Sequence, residues 1–272
     1  MTAVYAGILL DRPRLMAIVN VTPDSFSDGG ERLDPAQAID DGLRFVSEGA
    51  DIVDVGGEST RPGSRPTPPE EELRRVLPVV AALARQKVVV SIDTRRAAVA
   101  RACLDAGARI VNDVSALRDD PELLLLAART GTAVVLMHRR GRSEEMYEGA
   151  AYGDVVEDVR RFLLERALAC ETAGIARERI ALDPGIGFGK SVSENLALIA
   201  GAGRLAEAGY PVVVGSSRKG FIGKLTGLAE PRDRDPASVW LAVEATRRRA
   251  AIVRVHDIAA TRQALAVSTA MR

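Results

Sequence analysis

Acidic, basic and amide side chains stand at the ends of short apolar runs along this 272-residue chain. Carboxylates and amides can bind the polar edge of a ring, whereas arginine and histidine can bind anions. One Asp or Asn after a strand is most often a helix cap or a turn residue. That interpretation does not explain a recurrence at six or more places, which predicts one shared site. The positions are Asn20, Asp93, Asn112 with Asp113, His138, Asp183, Ser216 with Ser217, and Arg254 with His256.

The last pair of these residues predicts an anion site. Arg254 and His256 are two residues apart in the run AIVRVHD, so both side chains leave the same face of a strand. A charge inside a protein costs several kcal/mol unless it is paired or faces a wet site. The loops after the seventh and eighth strands of α/β barrels commonly bind phosphate.

Two long loops rich in glycine and proline bring further polar groups. Residues 56–63 read Gly-Gly-Glu-Ser-Thr-Arg-Pro-Gly, and residues 21–30 carry one aromatic side chain, Phe26, among turn formers. Turn chemistry on solvated loops would by itself account for such a composition. Because the longer βα loops of a barrel usually hold its site, we interpret both as functional loops.

The elements that must position these residues are predicted strands that alternate with predicted helices along the whole chain. Strands are predicted to start near Leu15, Asp51, Val88, Arg109, Thr132, Arg179, Pro211 and Ala251. Asp34-Pro35 predicts a helix start, and glycines predict helix ends at Gly49, Gly107, Gly131, Gly174 and Gly209. Strands that are apolar throughout are covered on both faces. We therefore predict an α/β fold, a (β/α)8 TIM barrel in which residues 1–272 form a single domain, with an open doubly wound sheet as the alternative.

Composition excludes several classes of protein. The 37 basic and 37 acidic residues give zero net charge, which offers no field for nucleic acid or an anionic membrane. The longest apolar runs fall well short of the ~18 residues of a membrane span, and the N-terminus does not read as a secretory signal. Cys103 and Cys170 are too few and too far apart for a disulfide framework. We expect a cytoplasmic protein with reduced thiols.

The segment GIGFGKS at residues 185–191 superficially matches two nucleotide-binding motifs. A P-loop would need its first glycine at position 184, which is a proline without an amide. A dinucleotide fingerprint would need a third glycine that the segment lacks. Neither motif is predicted here.

Eight segments in order along the chain resemble the bacterial dihydropteroate synthase family. They are MAIVNVTPDSFSDGG, GADIVDVGGESTRPG, VSIDT, VNDVS, LMH, LDPGIGFGK, GSSRKGFIG and IVRVHD, and they span roughly Leu15 to Asp257. The first, second, sixth and seventh are specific to that family. The resemblance implies a transferase that condenses 6-hydroxymethyl-7,8-dihydropterin pyrophosphate with 4-aminobenzoate, giving 7,8-dihydropteroate and pyrophosphate.

The resemblance also implies roles for individual residues. Asp93 and Lys219 are expected to be catalytic. Residues expected around the pterin are Asp93, Asn112, Met137, Asp183, Phe188 and Lys219. Residues expected around 4-aminobenzoate are Phe26, Thr60, Arg61, Pro62, Ser217 and Arg218. Asn20, Thr60, Arg61, Arg254 and His256 are expected at the pyrophosphate, with Asn20 also bound to Mg²⁺, and a homodimer is expected through the last helices.

Three positions depart from the usual family pattern, and two other functions stay open. The departures are Arg139-Arg140 after His138, Asp235-Pro236-Ala237-Ser238, and Ala250, none of which coincides with an assigned residue. One alternative is a pterin-binding barrel without synthase activity, and the other is a methyltetrahydrofolate-dependent methyltransferase with a corrinoid partner. The complete set of second-substrate residues favours the synthase.

Overall fold

The computed structural model describes residues 3–22, 35–59, 66–141 and 152–271. A short hairpin of β1 (Val4–Tyr5) and β2 (Ile8–Leu9) comes first. The barrel strands follow as β3 (Arg14–Asn20), β4 (Ile52–Gly56), β5 (Val90–Asp93), β6 (Ile110–Asp113), β7 (Ala133–Met137), β8 (Ile180–Asp183), β9 (Val213–Val214) and β10 (Ile252–Val255). The hairpin was not predicted from the sequence.

The eight barrel strands are parallel and close on themselves. Their order is β8-β7-β6-β5-β4-β3-β10-β9, and a parallel bridge between Leu182 and Val212 joins the two ends of that series. The backbone amide of Leu182 donates to the carbonyl of Pro211 at 2.9 Å across the same seam. The predicted (β/α)8 barrel is confirmed, and the open sheet is excluded.

Helices connect the strands around the outside. Those described are α1 (Pro35–Glu48), α2 (Pro69–Arg85), α3 (Ala97–Asp105), α4 (Pro121–Thr130), α5 (Val155–Thr172), α6 (Val192–Ala200), α7 (Ala202–Ala206), α8 (Gly220–Thr226), α9 (Asp235–Arg247) and α10 (Ile258–Ala270). The five glycines predicted to end helices all have positive φ, between 63° and 111°. Among the helices described, none combines the length and apolarity that crossing a membrane requires.

Side-chain caps fix where several helices begin. Asp120, Asp154 and Asp257 each accept a hydrogen bond from a backbone N–H in the first turn of α4, α5 and α10. Ser191 and Glu194 form a reciprocal capping box at the start of α6. Such caps satisfy amides that have no partner within the helix. Asp34, the predicted cap of α1, lies outside the described residues.

Alternate side chains of each strand face two different cores. One set packs outward against the helices, as Val53, Val111 and Leu136 do. The other set fills the barrel interior together with Tyr5 of the hairpin. Toward the carboxyl ends of the strands the inner face becomes polar, because the apolar inner residue is followed two positions later by a polar one. The pairs are Ile52 and Asp54, Ile110 and Asn112, and Ile252 and Arg254.

Candidate active site

An arginine held between two carboxylates lies at the centre of the inner polar face. Arg254 on β10 donates from Nε to Asp54 Oδ2 at 2.6 Å and from Nη2 to Asp93 Oδ2 at 2.9 Å. The Asp54 side chain is fully buried, whereas about one sixth of Asp93 and Arg254 is exposed (16% and 17%). Each carboxylate offsets the cost of burying the guanidinium, and the pairs fix its plane.

Asp54 also fixes the orientation of Asn112. The Asn112 Nδ2 group donates to Asp54 Oδ2 at 3.0 Å. An ionised carboxylate has no hydrogen to donate, so the amide of Asn112 must turn its NH₂ group toward Asp54. The amide oxygen of Asn112 is therefore the atom left for a ligand. Asn112 and Asp93 are register partners on β6 and β5, so their side chains stand next to each other.

Burial and neighbouring charges change the pKa of Asp93. The pKa of Asp93 is raised to about 7, first by burial and then by the nearby carboxylates, against the pull of Arg254. A carboxyl that titrates near neutral pH in a polar cleft is typical of functional sites. Asp93 is not a helix cap, because α3 begins at Ala97 and Arg96 occupies its N-cap position.

Asp183 lies across the barrel at the end of β8, where a tight turn begins. Its Oδ1 accepts from the Gly185 amide at 2.7 Å, so one carboxylate oxygen helps to hold the turn. Burial is the main cause that raises the pKa of Asp183. The side chain has both a structural contact and a place on the inner face, where Lys219 and Arg254 lie close enough to favour its charge.

Lys190 stabilises the turn after Asp183. Its buried ammonium donates to the carbonyls of Gly185, Phe188 and His138 at 2.8, 3.0 and 3.3 Å. Burial lowers the pKa of Lys190 to about 7. In the sequence this lysine belongs to the rejected P-loop match and ends the segment LDPGIGFGK, and neither gave it a role. Its role is to tie together three carbonyl oxygens of the loops after β7 and β8.

Lys219 lies over an aromatic ring beside the carboxylates. Its Nζ is 4.1 Å from the ring centroid of Phe188, a cation–π distance. Phe188 packs with Met137 and Val114 in a small buried apolar cluster separate from the main cores. Burial lowers the pKa of Lys219 to about 8, with Asp183 and Asp93 acting in the opposite direction. The structure thus brings a lysine, two carboxylates and an apolar wall to one place.

Ser217 and His256 link the ends of β9 and β10. The Ser217 Oγ lies 2.9 Å from His256 Nδ1 and accepts from the His256 backbone amide at 3.3 Å. Arg218 points elsewhere, because its Nε and Nη2 both bind the Asp235 carboxylate at 2.7 Å. Arg218 also has a φ of 59°, which is uncommon outside glycine. The expected contact of Arg218 with 4-aminobenzoate stays a prediction. In the structure, the Arg218 guanidinium forms an ion pair with Asp235.

Asp113 and His138 do not face the barrel interior. The prediction that they belong to the one shared site is therefore wrong. Asp113 holds a turn, accepting from the Ser115 amide and hydroxyl and from the Leu117 amide, each at 2.7 Å. His138 packs edge-on against Phe162 of α5 at 4.9 Å. Burial lowers the pKa of His138 to about 3, so it stays neutral.

A charged network holds the stem of the loop after β4. Glu58 accepts from Arg95 and Arg96 and from the backbone amide of Thr67, all within 3.2 Å. Arg96 in turn pairs with the fully buried Glu72 and donates to the Thr67 carbonyl at 2.6 Å. Both ends of the segment between residues 59 and 66 are therefore fixed to α2 and to the β5–α3 loop.

The remaining predicted residues divide into two groups. Asn20 ends β3 and is half-buried, beside Gly56, at the same end of the barrel as Asp93. Four others lie outside the described residues: Phe26, Thr60, Arg61 and Pro62. Their predicted contacts with the substrates stay predictions.

Comparison with known proteins covers nearly the whole chain. A family model described as pterin binding enzyme matches residues 16–256. A dihydropteroate synthase of Neisseria meningitidis serogroup C is 48% identical over 259 residues, which cover 94% of this chain and 92% of that protein. The chain belongs to the dihydropteroate synthase family.

Solved structures of dihydropteroate synthases share the barrel. The Xanthomonas albilineans enzyme with 4-aminobenzoic acid has a TM-score of 0.91 at 49% identity, covering 98% of this chain and 96% of that one. The same organism's enzyme in complex with 7,8-dihydropteroate has a TM-score of 0.87 at 48% identity, covering 96% and 94%. The family predicted from the eight sequence segments is confirmed, and so is the prediction that the chain is a transferase.

Sequence reasoning missed Asp54, which holds two of the predicted dihydropteroate synthase site residues. The signal was present in the run IVDVG, where a carboxylate interrupts a strand that is otherwise apolar. Its position two residues after Ile52 places it on the inner face. An unpaired charge there would be costly, so Asp54 required a cationic partner from another strand.

Proposed function

We propose that this chain joins 4-aminobenzoate to 6-hydroxymethyl-7,8-dihydropterin pyrophosphate, giving 7,8-dihydropteroate and pyrophosphate. The observation that carries the proposal is the set of acceptors on the inner face, Asp93, Asn112 and Asp183, beside the ammonium of Lys219. The substrates come from the family, whose solved members hold 4-aminobenzoic acid and 7,8-dihydropteroate.

The acceptors suit one edge of a pterin ring. That edge presents ring N–H and amino donors, and a carbonyl and a ring nitrogen lie nearby. Asp93, Asp183 and the amide oxygen of Asn112 would accept from the donors, while Lys219 would donate to the carbonyl and N5 side. Phe188 and Met137 would cover the faces of the ring.

The reaction is an alkyl transfer at the methylene carbon of the pterin. The amine nitrogen of 4-aminobenzoate forms a C–N bond to this carbon and loses a proton. The C–O bond to pyrophosphate breaks, and pyrophosphate leaves with the bonding electrons. Positive charge that develops on the pterin during departure would be stabilised by Asp93 and Asp183, which are held in place before the reaction begins.

The leaving pyrophosphate would be held by cations and polar groups at the rim. Arg254 uses its Nε–H and one N–H of Nη2 to bind carboxylates, so both N–H groups of Nη1 are left to donate to the pyrophosphate. His256, directly after β10, and Asn20, the last residue of β3, would contribute as well. Thr60 and Arg61 would act from the loop whose ends Glu58 and Arg96 fix.

Magnesium fits Asn20 as a single neutral oxygen ligand. Within the described residues no three His, Cys, Asp or Glu side chains are grouped so as to hold a metal ion. Mg²⁺ commonly binds through few protein ligands, substrate phosphates and water. When bound, it would neutralise charge on the departing pyrophosphate, and the Asn20 amide oxygen would orient it from the end of β3.

The second substrate would be bound by the loops and by the end of β9. The residues assigned to 4-aminobenzoate are Phe26, Thr60, Arg61, Pro62, Ser217 and Arg218. The contact between Ser217 and His256 supports this placement, since it fixes the serine hydroxyl next to the predicted pyrophosphate region.

We also propose a cytoplasmic homodimer. Trp240 on α9 and Val267 on α10 are 61% and 62% exposed on helices that pack together, and Met271 follows at 72%. Large apolar side chains exposed on neighbouring helices are typical of interaction surfaces. Both cysteines are free and buried, as expected in a reducing compartment. A monomeric mass in light scattering would contradict the dimer.

The test of function is an assay for pyrophosphate release with each substrate omitted in turn. Release should require both the pterin pyrophosphate and 4-aminobenzoate. Pterin binding without any release would indicate a barrel that only binds pterins. Methyl transfer dependent on a corrinoid protein would instead indicate the methyltransferase.

A further inference from the structure

Three oxygen atoms inside the barrel are buried without a hydrogen-bond partner in the described part of the chain. They are the hydroxyls of Tyr5 and Ser91 and the Oδ1 atom of Asp54. All three residues are 0% exposed. Buried hydroxyls and carboxylate oxygens are almost always paired with protein or with ordered water.

The three residues come together beneath the predicted pterin site. Asp54 and Ser91 are register partners on β4 and β5, and both face the interior. Tyr5 enters from the amino-terminal hairpin and packs with Met16 and Ile52, at the opposite end of the barrel from the site. The charge of Asp54 adds to burial in raising the pKa of Tyr5, so the phenol lies within electrostatic range of the carboxylate, although neither the Tyr5 hydroxyl nor Asp54 Oδ1 has a hydrogen-bond partner in the described part of the chain.

We propose that Tyr5, Ser91 and Asp54 bind an ordered water molecule in the barrel interior. Their hydrogen-bonding capacities match one, because the two hydroxyls can donate to the water and the carboxylate can accept from it. A buried water typically makes about three hydrogen bonds. Ser91 stands in register between Asp54 on β4 and Ile110 on β6, and its side chain fills less of the interior than an isoleucine would.

Charge favours water over a metal cation at this place. Asp54 Oδ2 already binds Arg254 and Asn112, so its negative charge is compensated on the other side. The water would occupy the free oxygen of the same carboxylate. Through this water, Tyr5 of the hairpin would help to hold the Asp54 carboxylate, which in turn positions Arg254 and Asn112 in the site.

The first test is a crystal structure of the full chain at about 1.5 Å resolution, grown in potassium-containing buffer. We expect one peak of water density within hydrogen-bond distance of all three oxygens. Empty space among them, or direct contact between the Tyr5 hydroxyl and Asp54, would overturn the proposal. An anomalous signal at the peak would show a cation instead and would overturn it too.

The second test uses the sign of a change in melting temperature. Removing a hydroxyl that has no partner relieves a buried, unsatisfied group and stabilises the fold, whereas removing a satisfied one destabilises it. Tyr5→Phe and Ser91→Ala should each lower Tm by about 2–4 °C, the shift expected for one hydrogen bond in a protein of this size. A rise, or no change, in both variants would contradict a shared water.

The two variants should also be coupled. Since each removes one partner of the same water, the double variant should lose less than the sum of the single losses. Tyr210→Phe provides a matched control for losing a phenol, because its hydroxyl directly contacts Glu171 and Arg177 at 2.9 and 2.7 Å. It should be additive with Ser91→Ala. Additivity of Tyr5→Phe with Ser91→Ala would mean that the two hydroxyls do not share a ligand.

Discussion

Asp54→Asn is expected to move the pH dependence of pterin recognition to lower pH. Asp54 and Asp93 accept hydrogen bonds from one guanidinium, that of Arg254, at 2.6 and 2.9 Å. The charge of Asp54 is among the causes that raise the pKa of Asp93 to about 7, after burial and against Arg254. Asparagine keeps an oxygen for both donors but removes this charge.

The size of the change follows from the shared guanidinium. Carboxylates on neighbouring nitrogens of one arginine lie about 5 Å apart, where like charges repel by roughly 3 kcal/mol at an effective dielectric constant of about 20. The guanidinium between the two carboxylates screens part of this repulsion. With about half of it remaining, the repulsion between Asp54 and Asp93 is roughly 1.5 kcal/mol. Since about 1.4 kcal/mol corresponds to one pKa unit, the pKa of Asp93 should fall by roughly one unit.

The assay is kcat/KM for the pterin substrate between about pH 5.5 and 8.5, which reports groups of the free enzyme. The wild type should lose activity as pH falls through about 7, and Asp54→Asn should lose it about one unit lower. Asp113→Asn is the matched control, because Asp113 is also buried but bonds a turn. It should lower Tm and move the midpoint less. A midpoint in Asp54→Asn that stays at wild-type pH or rises would refute the reasoning.

Other expectations address the ring-binding and loop residues. Asp93→Asn should abolish the acid limb near pH 7, because the raised pKa means that the carboxylate forms only as pH rises through that value; an unchanged pH profile would assign the limb elsewhere. Lys219→Ala should lose most of its turnover while Tm stays near wild type, which steady-state kinetics and calorimetry would check; unchanged kinetics would remove it from the site. Arg218→Ala should raise the KM for 4-aminobenzoate more than it lowers kcat. Asp235→Asn breaks the same ion pair, so an equal KM effect there would show that Arg218 acts by positioning.

The sequence predicted the barrel well because the strands carry a strong local signal. Runs that are apolar on both faces, spaced by helices ending at glycines such as Gly107 and Gly131, leave few other folds. The hairpin escaped prediction because its two-residue strands have no periodicity to detect. Only the fold shows that Tyr5 closes the bottom of the barrel.

The site was predicted less completely, for a physical reason. Strand ends reveal which polar groups exist but not which of them turn inward, and a shift of one residue reverses the face. Asn112 faces the interior, whereas its neighbour Asp113 faces a turn. The pairing of Asp54 with Arg254 joins residues 200 positions apart, which no local pattern in the chain reports.

The most direct measurement of the central claim is the ratio of 7,8-dihydropteroate to pyrophosphate produced by the purified protein. Mass spectrometry can quantify the pteroate while a coupled assay counts the pyrophosphate, with both substrates and magnesium present. Alkyl transfer in the site of Asp93, Asn112, Asp183 and Lys219 predicts one pteroate for each pyrophosphate. Pyrophosphate released without pteroate, or no release at all, would contradict the account.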